Sequence, residues 1–340
     1  QNEYGQGLSG LHNPISGNSF GPSFGTAPSR INGLIDAAGN TIPYQLYSDN
    51  ISNFFETGIM TDNNLTINAG DAIQNATLTV GNLSQTGILP NTKLNRPNIQ
   101  FGAGTTIRKI KIAGSAGYTS TSQNGVIGGN SAGGGSGFAY LVSIPRSFNL
   151  GAYKNDYKNA DGSQKFPLLP NNIENPYFTA YENPVASNLS RVIGNITLGY
   201  DITNWLNVSY RLGADVFTDR RRQIFAVTSR VRPTGQVLDD IFFRNEINGD
   251  LIITAKKKDL FTAGLNVSGL VGQNINQRKF QNVTAQGDNL TIPGFYNISN
   301  ATTFTNGTAE TSTLQRLLGY YAQASFDWNN YLFLELTGRV

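Results

Sequence analysis

The 340-residue sequence contains no cysteine, one histidine (His12) and one methionine. Without thiols there are no disulfides, no thiolate nucleophile and no cysteine-based zinc site, and a single imidazole cannot assemble a histidine metal cluster. Charge is also scarce: 14% of the residues are ionised, against about 25% in an ordinary soluble domain. No apolar run approaches the roughly 18 residues that a membrane-spanning helix needs, and the mean hydropathy is slightly negative. A helical membrane protein is therefore excluded. The net charge of +3 is spread through polar, glycine-rich sequence and forms no basic stripe of the kind that binds nucleic acid. The chain opens at Gln1 without an initiator methionine, a charged n-region or an apolar h-region, so any export signal is expected outside this sequence. Both ends read as cuts. No catalytic residues, metal ligands or cofactors are expected.

What the sequence has in abundance is period-two alternation, the signature of a strand with one apolar and one polar face. Val192, Gly194, Ile196, Leu198, Tyr200 and Ile202 alternate with Asn195, Thr197, Gly199 and Asp201. After Thr203, Asn204 and Trp205 the pattern resumes, with Leu206, Val208, Tyr210, Leu212, Ala214 and Val216 opposite Asn207, Ser209, Arg211, Gly213 and Asp215. Two such runs joined by about three residues predict a hairpin. A second hairpin turns near Lys257 and Lys258 into Phe261, Ala263, Leu265, Val267, Gly269 and Val271. A third turns at Asn329 and Asn330, between Tyr320 to Trp328 and Leu332 to Leu336. Weaker versions precede these, at Leu65 to Ile67, Ala76 to Val80, Ile99 to Ala103 and Ile110 to Tyr118. Roughly ten strands are predicted.

Length separates a soluble sandwich from a membrane barrel, because globular strands average about five to six residues whereas barrel strands need about 9 to 11. The clearest runs alternate for eleven residues, as from Leu206 to Val216. Ten residues at ~3.3 Å each and a tilt near 40° rise roughly 25 Å, the height of an outer-membrane apolar band. Short turns near 71–74, 107–108, 203–205, 257–258 and 329–330 interleave with long loops at about 85–96, 122–188, 223–236 and 285–312. Short periplasmic turns and long extracellular loops are the outer-membrane arrangement. The expected fold is all-β, a transmembrane antiparallel β-barrel segment of about ten strands, with residues 1–63 mostly loop and 64–340 carrying strands and loops. Tyr200, Trp205 and Trp328 lie at or beside short turns, as a lipid-facing aromatic girdle requires. An open sheet of ten strands would leave two unpaired edges, which lipid does not tolerate. The remaining strands are expected outside this sequence.

Several segments resemble those of a known family. YSDNISNFFETG (Tyr47 to Gly58) and GILPNTKLNR (Gly87 to Arg96) resemble, in order and spacing, two stretches of the SusC/RagA-like TonB-dependent outer-membrane transporters, "PDN-x-x-x-FF-x-TG" and "G-x-x-PN-x-x-x-x-R". NEYGQG (Asn2 to Gly7), SFGP (Ser19 to Pro22), NPYF (Asn175 to Phe178) and YLFLELTGR (Tyr331 to Arg339) agree, so the resemblance covers nearly the whole chain. Ser48 stands where proline is usual and Phe20 where tryptophan is frequent. The resemblance implies a barrel of about 22 strands with a plugged lumen, and a plug domain and TonB-interacting segment upstream of this sequence. It also implies a SusD-like surface lipoprotein as partner, and import of oligosaccharides or peptides across the bacterial outer membrane. A passive porin and a structural or adhesive barrel are the alternatives.

Candidate sites follow from side-chain chemistry. Tyr140, Tyr153, Tyr157, Tyr177, Phe178 and Tyr181 lie in the longest loop amid asparagine and glycine. They suit either capture of sugar or peptide or packing of the loop on itself. Arg220 and Arg222 share the parity of the lipid-facing set and are candidate contacts for lipopolysaccharide phosphate, with a solvated loop base as the other reading. GGNSAGGGSG (Gly128 to Gly137) lacks the Lys-Ser/Thr ending of a phosphate-binding loop and any following helical pattern, and reads as a flexible loop. Asp239 and Asp240 are adjacent, would point to opposite strand faces and so do not form an acid pair. His12 reads as a surface loop residue. Asn195, Thr197, Asp201, Asn207, Arg211, Asp215, Asn266, Gln323, Asp327 and Glu335 are expected on the water side.

Overall fold

The computed structural model describes residues 2–13, 16–25, 30–35, 40–128, 135–166, 174–304 and 309–340. Two small ladders come first, β1 (Gly7–Leu8) with β2 (Leu11–His12), and β3 (Arg30–Ile35) with β4 (Thr41–Pro43). A single large sheet follows, built from β5 (Met60–Gly70), β6 (Gln74–Thr86), β7 (Lys93–Ile107), β8 (Ile110–Val126), β9 (Pro184–Asp201), β10 (Leu206–Val227), β11 (Thr234–Lys257), β12 (Leu265–Leu290), β14 (Ala309–Trp328) and β15 (Leu332–Arg339). Each strand pairs antiparallel with its neighbour in the chain; only the short β13 (Ala301–Thr303) stands off this path, beside β12. The ten-strand meander matches the number expected.

Register carries the two-faced pattern from strand to strand. Ile112, Leu198, Tyr210, Leu251, Gln273 and Tyr320 stand opposite one another on one face. One position further along, Ala113, Thr197, Arg211, Asp250, Asn274 and Gly319 do so on the other. The apolar rows are not covered by a second layer: Ile196 is 44% exposed, Leu198 45% and Leu334 52%. In water such a continuous apolar face would be far larger than the patches soluble monomers present. Lipid is the medium that suits it.

The polar face is knitted by side-chain bonds. Asn195 donates to Ser115 (2.8 Å), Asn207 to Asp201 (2.8 Å) and Asn266 to Asp327 (3.2 Å). Ion pairs join Lys111 to Asp201, Arg191 to Asp215, Arg211 to Asp250 and Arg278 to Glu246. The residues assigned to the water side thus lie on this inner face.

Most turns at the lower end are short and have local chemical causes. The Asp71 carboxylate accepts the Ile73 and Gln74 N–H groups at 2.7 and 2.9 Å, and Asn329 and Asn330 both adopt positive φ, 54° and 57°, as a type I′ hairpin demands. Gly264 has φ +80°, and a Cβ there would fall 1.8 Å from Asn329 Oδ1 in the adjoining turn. The strands run further upward than the alternation indicated. β10 has 22 residues and β12 has 26, so these strands rise about 55–65 Å at the same tilt, more than twice the hydrocarbon height. The connections above are correspondingly shorter, at 87–92, 127–183, 228–233 and 291–308, with the last interrupted by β13.

Charge placed on the two faces should have unequal cost. Leu212→Lys, mid-height on the apolar face, is expected to destabilise the full-length protein in bilayers by about 2–4 kcal/mol. Ser209→Lys, on the inner face, should change stability by about 0.5 kcal/mol or less. Denaturant titration in phosphatidylcholine vesicles measures both.

Candidate functional site

The buried core of the chain lies in the loops rather than under the sheet. Phe54, Tyr140, Leu141, Ile144, Phe148, Leu150, Tyr153, Phe166 and Tyr177 form one cluster, supplied by a 3-10 turn at Ser52–Phe54, helix α1 (Gly137–Ser143), a second 3-10 turn at Leu150–Tyr153, helix α2 (Pro176–Glu182) and the loop between the helices. Both helices are capped by an asparagine or serine that substitutes for missing backbone bonds, the usual task of these side chains at helix ends. Ser136 caps α1 by accepting from Ala139, and Asn175 caps α2 by accepting from Tyr177, with Pro176 in the first turn. Asn50 donates to the Phe148 carbonyl and accepts from Leu150 N–H, tying the 47–58 segment to the long loop. Asn91 donates to the Ala180 carbonyl (3.0 Å) and Asn124 to the Asn91 carbonyl (2.7 Å). The three most distinctive motif segments, around Asn50, Asn91 and Asn175, therefore converge on one loop body.

Of the six loop aromatics, Tyr140, Tyr153, Tyr177 and Phe178 are at most 2% exposed. They hold the loop body together and present no surface to a ligand outside it. Tyr157 and Tyr181 differ. Their rings stack at 5.4 Å with an interplanar angle of 17° and keep part of their surface open. Glu182, which periodicity gave no means of singling out, accepts from Tyr157 Oη (3.1 Å) and from Lys158 Nζ (2.8 Å). Burial, then the Glu182 charge and hydrogen bond, push the Tyr157 phenol up to about 12. Tyr296, from the loop between β12 and β13, lies within electrostatic reach of Tyr157 and Glu182. Two stacked rings beside a carboxylate and an ammonium can grip a polar ligand by its face and edge together.

The other expected site residues fall as follows. Tyr200 and Trp328 stand in the outward rows and are about half exposed. Trp205 does not. Its carbonyl accepts the Lys256 N–H, one position out of step with outward-facing Leu206, and it is about half exposed at the rim, bordering one cavity with Thr197, Asp201 and Asn207 and another with Val267, Phe326 and Leu334. Arg220 and Arg222 continue the outward parity above Val216, opposite Ile241 and Asp239; Arg222 is held bidentately by Asp239 at 2.6 and 2.7 Å. Asp240 faces inward and accepts from Thr284. Residues 129–134 of the glycine-rich segment lie outside the described residues. A helix does follow it, contrary to expectation, but α1 has only seven residues. His12 is half-buried, its Nδ1 3.2 Å from the Gln6 carbonyl and its ring edge-on to Tyr44, so it packs the N-terminal segment instead of facing solvent. Among the described residues no cluster of metal-ligating side chains occurs.

Solved structures supply the context. The RagAB peptide transporter superposes with a TM-score of 0.68 at 13% identity, over 86% of this chain and 32% of that one. The RagAB peptide importer in its closed-closed state gives 0.65 at 13%, over 92% and 33%. FpvA of P. aeruginosa bound to heterologous pyoverdines gives 0.52 at 10%, over 84% and 36%. The fold is that of the β-barrel wall in these structures. This chain spans about a third of the length of those it matches. No protein-family model and no curated protein matches it.

Beneath the loop core, Glu174 is fully buried and accepts from Asn183 Nδ2 (3.3 Å) and Ser229 Oγ (3.2 Å). Burial pushes its carboxyl up to about 7, only partly offset by those two bonds and by Arg230. The folded loop therefore holds the proton more tightly than the unfolded chain, whose ordinary value is 4.5. The stabilisation is complete below about pH 4.5 and is lost as the pH rises toward 7. Hydrogen exchange across 174–183, corrected for intrinsic rates, should show protection falling between pH 5 and 8. Glu174→Gln should remove that slope.

Proposed function

We propose that the chain forms wall and outer loops of an active importer that takes up oligosaccharides or peptides across the bacterial outer membrane. It works with a SusD-like surface lipoprotein and is powered through TonB by a segment outside this sequence. The observation that carries the reading is a wall apolar on its outside and wet on its inside, crowned by a rigid loop body with an open aromatic pair. A simple pore gains nothing from such a body, whereas a transporter that must hold its cargo does. The RagAB names state peptide transport, which supports the peptide half of the proposal. Strands beyond β5 and β15 would close the barrel, since each edge would otherwise leave backbone groups unpaired in lipid.

In this reading Tyr157 and Tyr181 contact the cargo, with Glu182 and Lys158 setting its orientation. Arg220 and, less freely, Arg222 meet lipopolysaccharide phosphates above the apolar belt. The chain carries out no covalent chemistry.

The test is uptake of labelled peptide and glycan pools by cells carrying the full-length protein. Loss of uptake when the proton-motive force is collapsed is expected; uptake that persists would indicate a passive pore, as would steady conductance of the purified barrel in planar bilayers. Tyr157→Ala with Tyr181→Ala should raise the half-saturating concentration by about 10-fold, each ring contributing about 0.5–1.5 kcal/mol.

A further inference from the structure

The lower rim of the wall carries a feature that import does not use. Four turns lie side by side there. The first, between β7 and β8, exposes Arg108 and Lys109; the second, between β9 and β10, carries Trp205. The third, between β11 and β12, carries Lys258 and Phe261; the fourth, between β14 and β15, carries Tyr331. Backbone bonds tie each to the next: Asp201 N–H to the Lys109 carbonyl, Lys256 N–H to the Trp205 carbonyl, and Asn329 N–H to the Gly264 carbonyl.

Phe261 is the outlier. It has φ 68° and is 93% exposed, so a bulky aromatic residue takes a left-handed backbone and leaves its ring without protein contact to repay it. Its acidic neighbour is turned away, since Asp259 Oδ1 accepts the Gly264 N–H at 2.7 Å. Lys256, Lys257 and Lys258 are all exposed, and none forms an ion pair among the described residues. Lys257 stands in the outward row with Val267, Phe326 and Leu334. Its ammonium therefore belongs to the lower margin of the belt that touches lipid.

We propose that this turn, Lys257 to Gly264, is a docking surface for anionic phospholipid of the periplasmic leaflet. Lys257 and Lys258 meet headgroup phosphates, and Phe261 enters the boundary between headgroups and acyl chains. Charge complementarity and continuity with the lipid-facing belt single out the bilayer as occupant. The inference rests on the barrel fold and is independent of the import reading.

The experiment uses the full-length protein in detergent with equimolar phosphatidylglycerol and phosphatidylcholine, counting co-eluting lipids by mass spectrometry. The wild type should retain phosphatidylglycerol preferentially. Lys257→Gln with Lys258→Gln should cut that preference by about fivefold per lysine, and Phe261→Ser should lower total retention of both lipids. Lys257→Arg with Lys258→Arg should keep the preference, as should Lys279→Gln at the opposite rim. Should the glutamine variant fail to fold, wild type in 0.5 M salt (about 4 Å screening) should lose its preference. Equal retention of the two lipids by wild type, a preference that survives glutamine substitution or salt, or displacement by inorganic phosphate at the lipid's concentration would overturn the proposal. Uptake is scored separately, so its loss or survival bears only on import.

Discussion

Backbone amides and carbonyls have no partner in hydrocarbon other than each other, and this requirement organises the whole chain. Consecutive antiparallel pairing from β5 to β15 meets it across the sheet. Once the backbone is paired, side-chain parity has only two options. Leu198, Tyr210 and Leu251 take one face, and Thr197, Arg211 and Asp250 the other. A slip of a single residue would bring Arg211 into lipid and Leu212 into water, so register and membrane insertion stabilise each other.

The strands outrun the membrane, and the physics changes where they leave it. Above the belt the outward face accepts Arg220, Arg222 and Asp239, and the chain builds the only large hydrophobic cluster among its described residues in the loops. That body is stapled by asparagines. Asn50, Asn91, Asn124 and Asn175 each bond backbone groups of another segment or a helix end, which makes the loop rigid enough to hold Tyr157 against Tyr181.

How far the sequence foretold this depends on what each region must satisfy. Alternation located the faces of β9 and β10 because lipid disfavours polar residues at the outward positions from Leu206 to Val216. The same parity argument placed Arg220 and Arg222 outward. It failed above the belt, where Lys279, Gln281 and Ala285 occupy outward positions of β12 and nothing requires them to be apolar. Hence the strand ends were set too low. Trp205 lies in the turn between β9 and β10, where the alternation of either strand no longer decides the face. The loop aromatics were visible by type but not by role: composition does not tell the buried Tyr140 from the half-open Tyr157. Glu174 and Glu182 gave no signal, since their partners lie far away in sequence, at Ser229 and at Tyr157.

The central claim is that lipid wets one side of these strands and water the other. Site-directed spin labels placed singly from Asn207 to Asp215 in the full-length protein, reconstituted in bilayers, test it most directly. Accessibility to molecular oxygen should peak at Val208, Tyr210, Leu212 and Ala214, and accessibility to a water-soluble nickel chelate at Asn207, Ser209, Arg211, Gly213 and Asp215. Equal accessibility of both sets to the nickel reagent, with no period of two, would contradict the account.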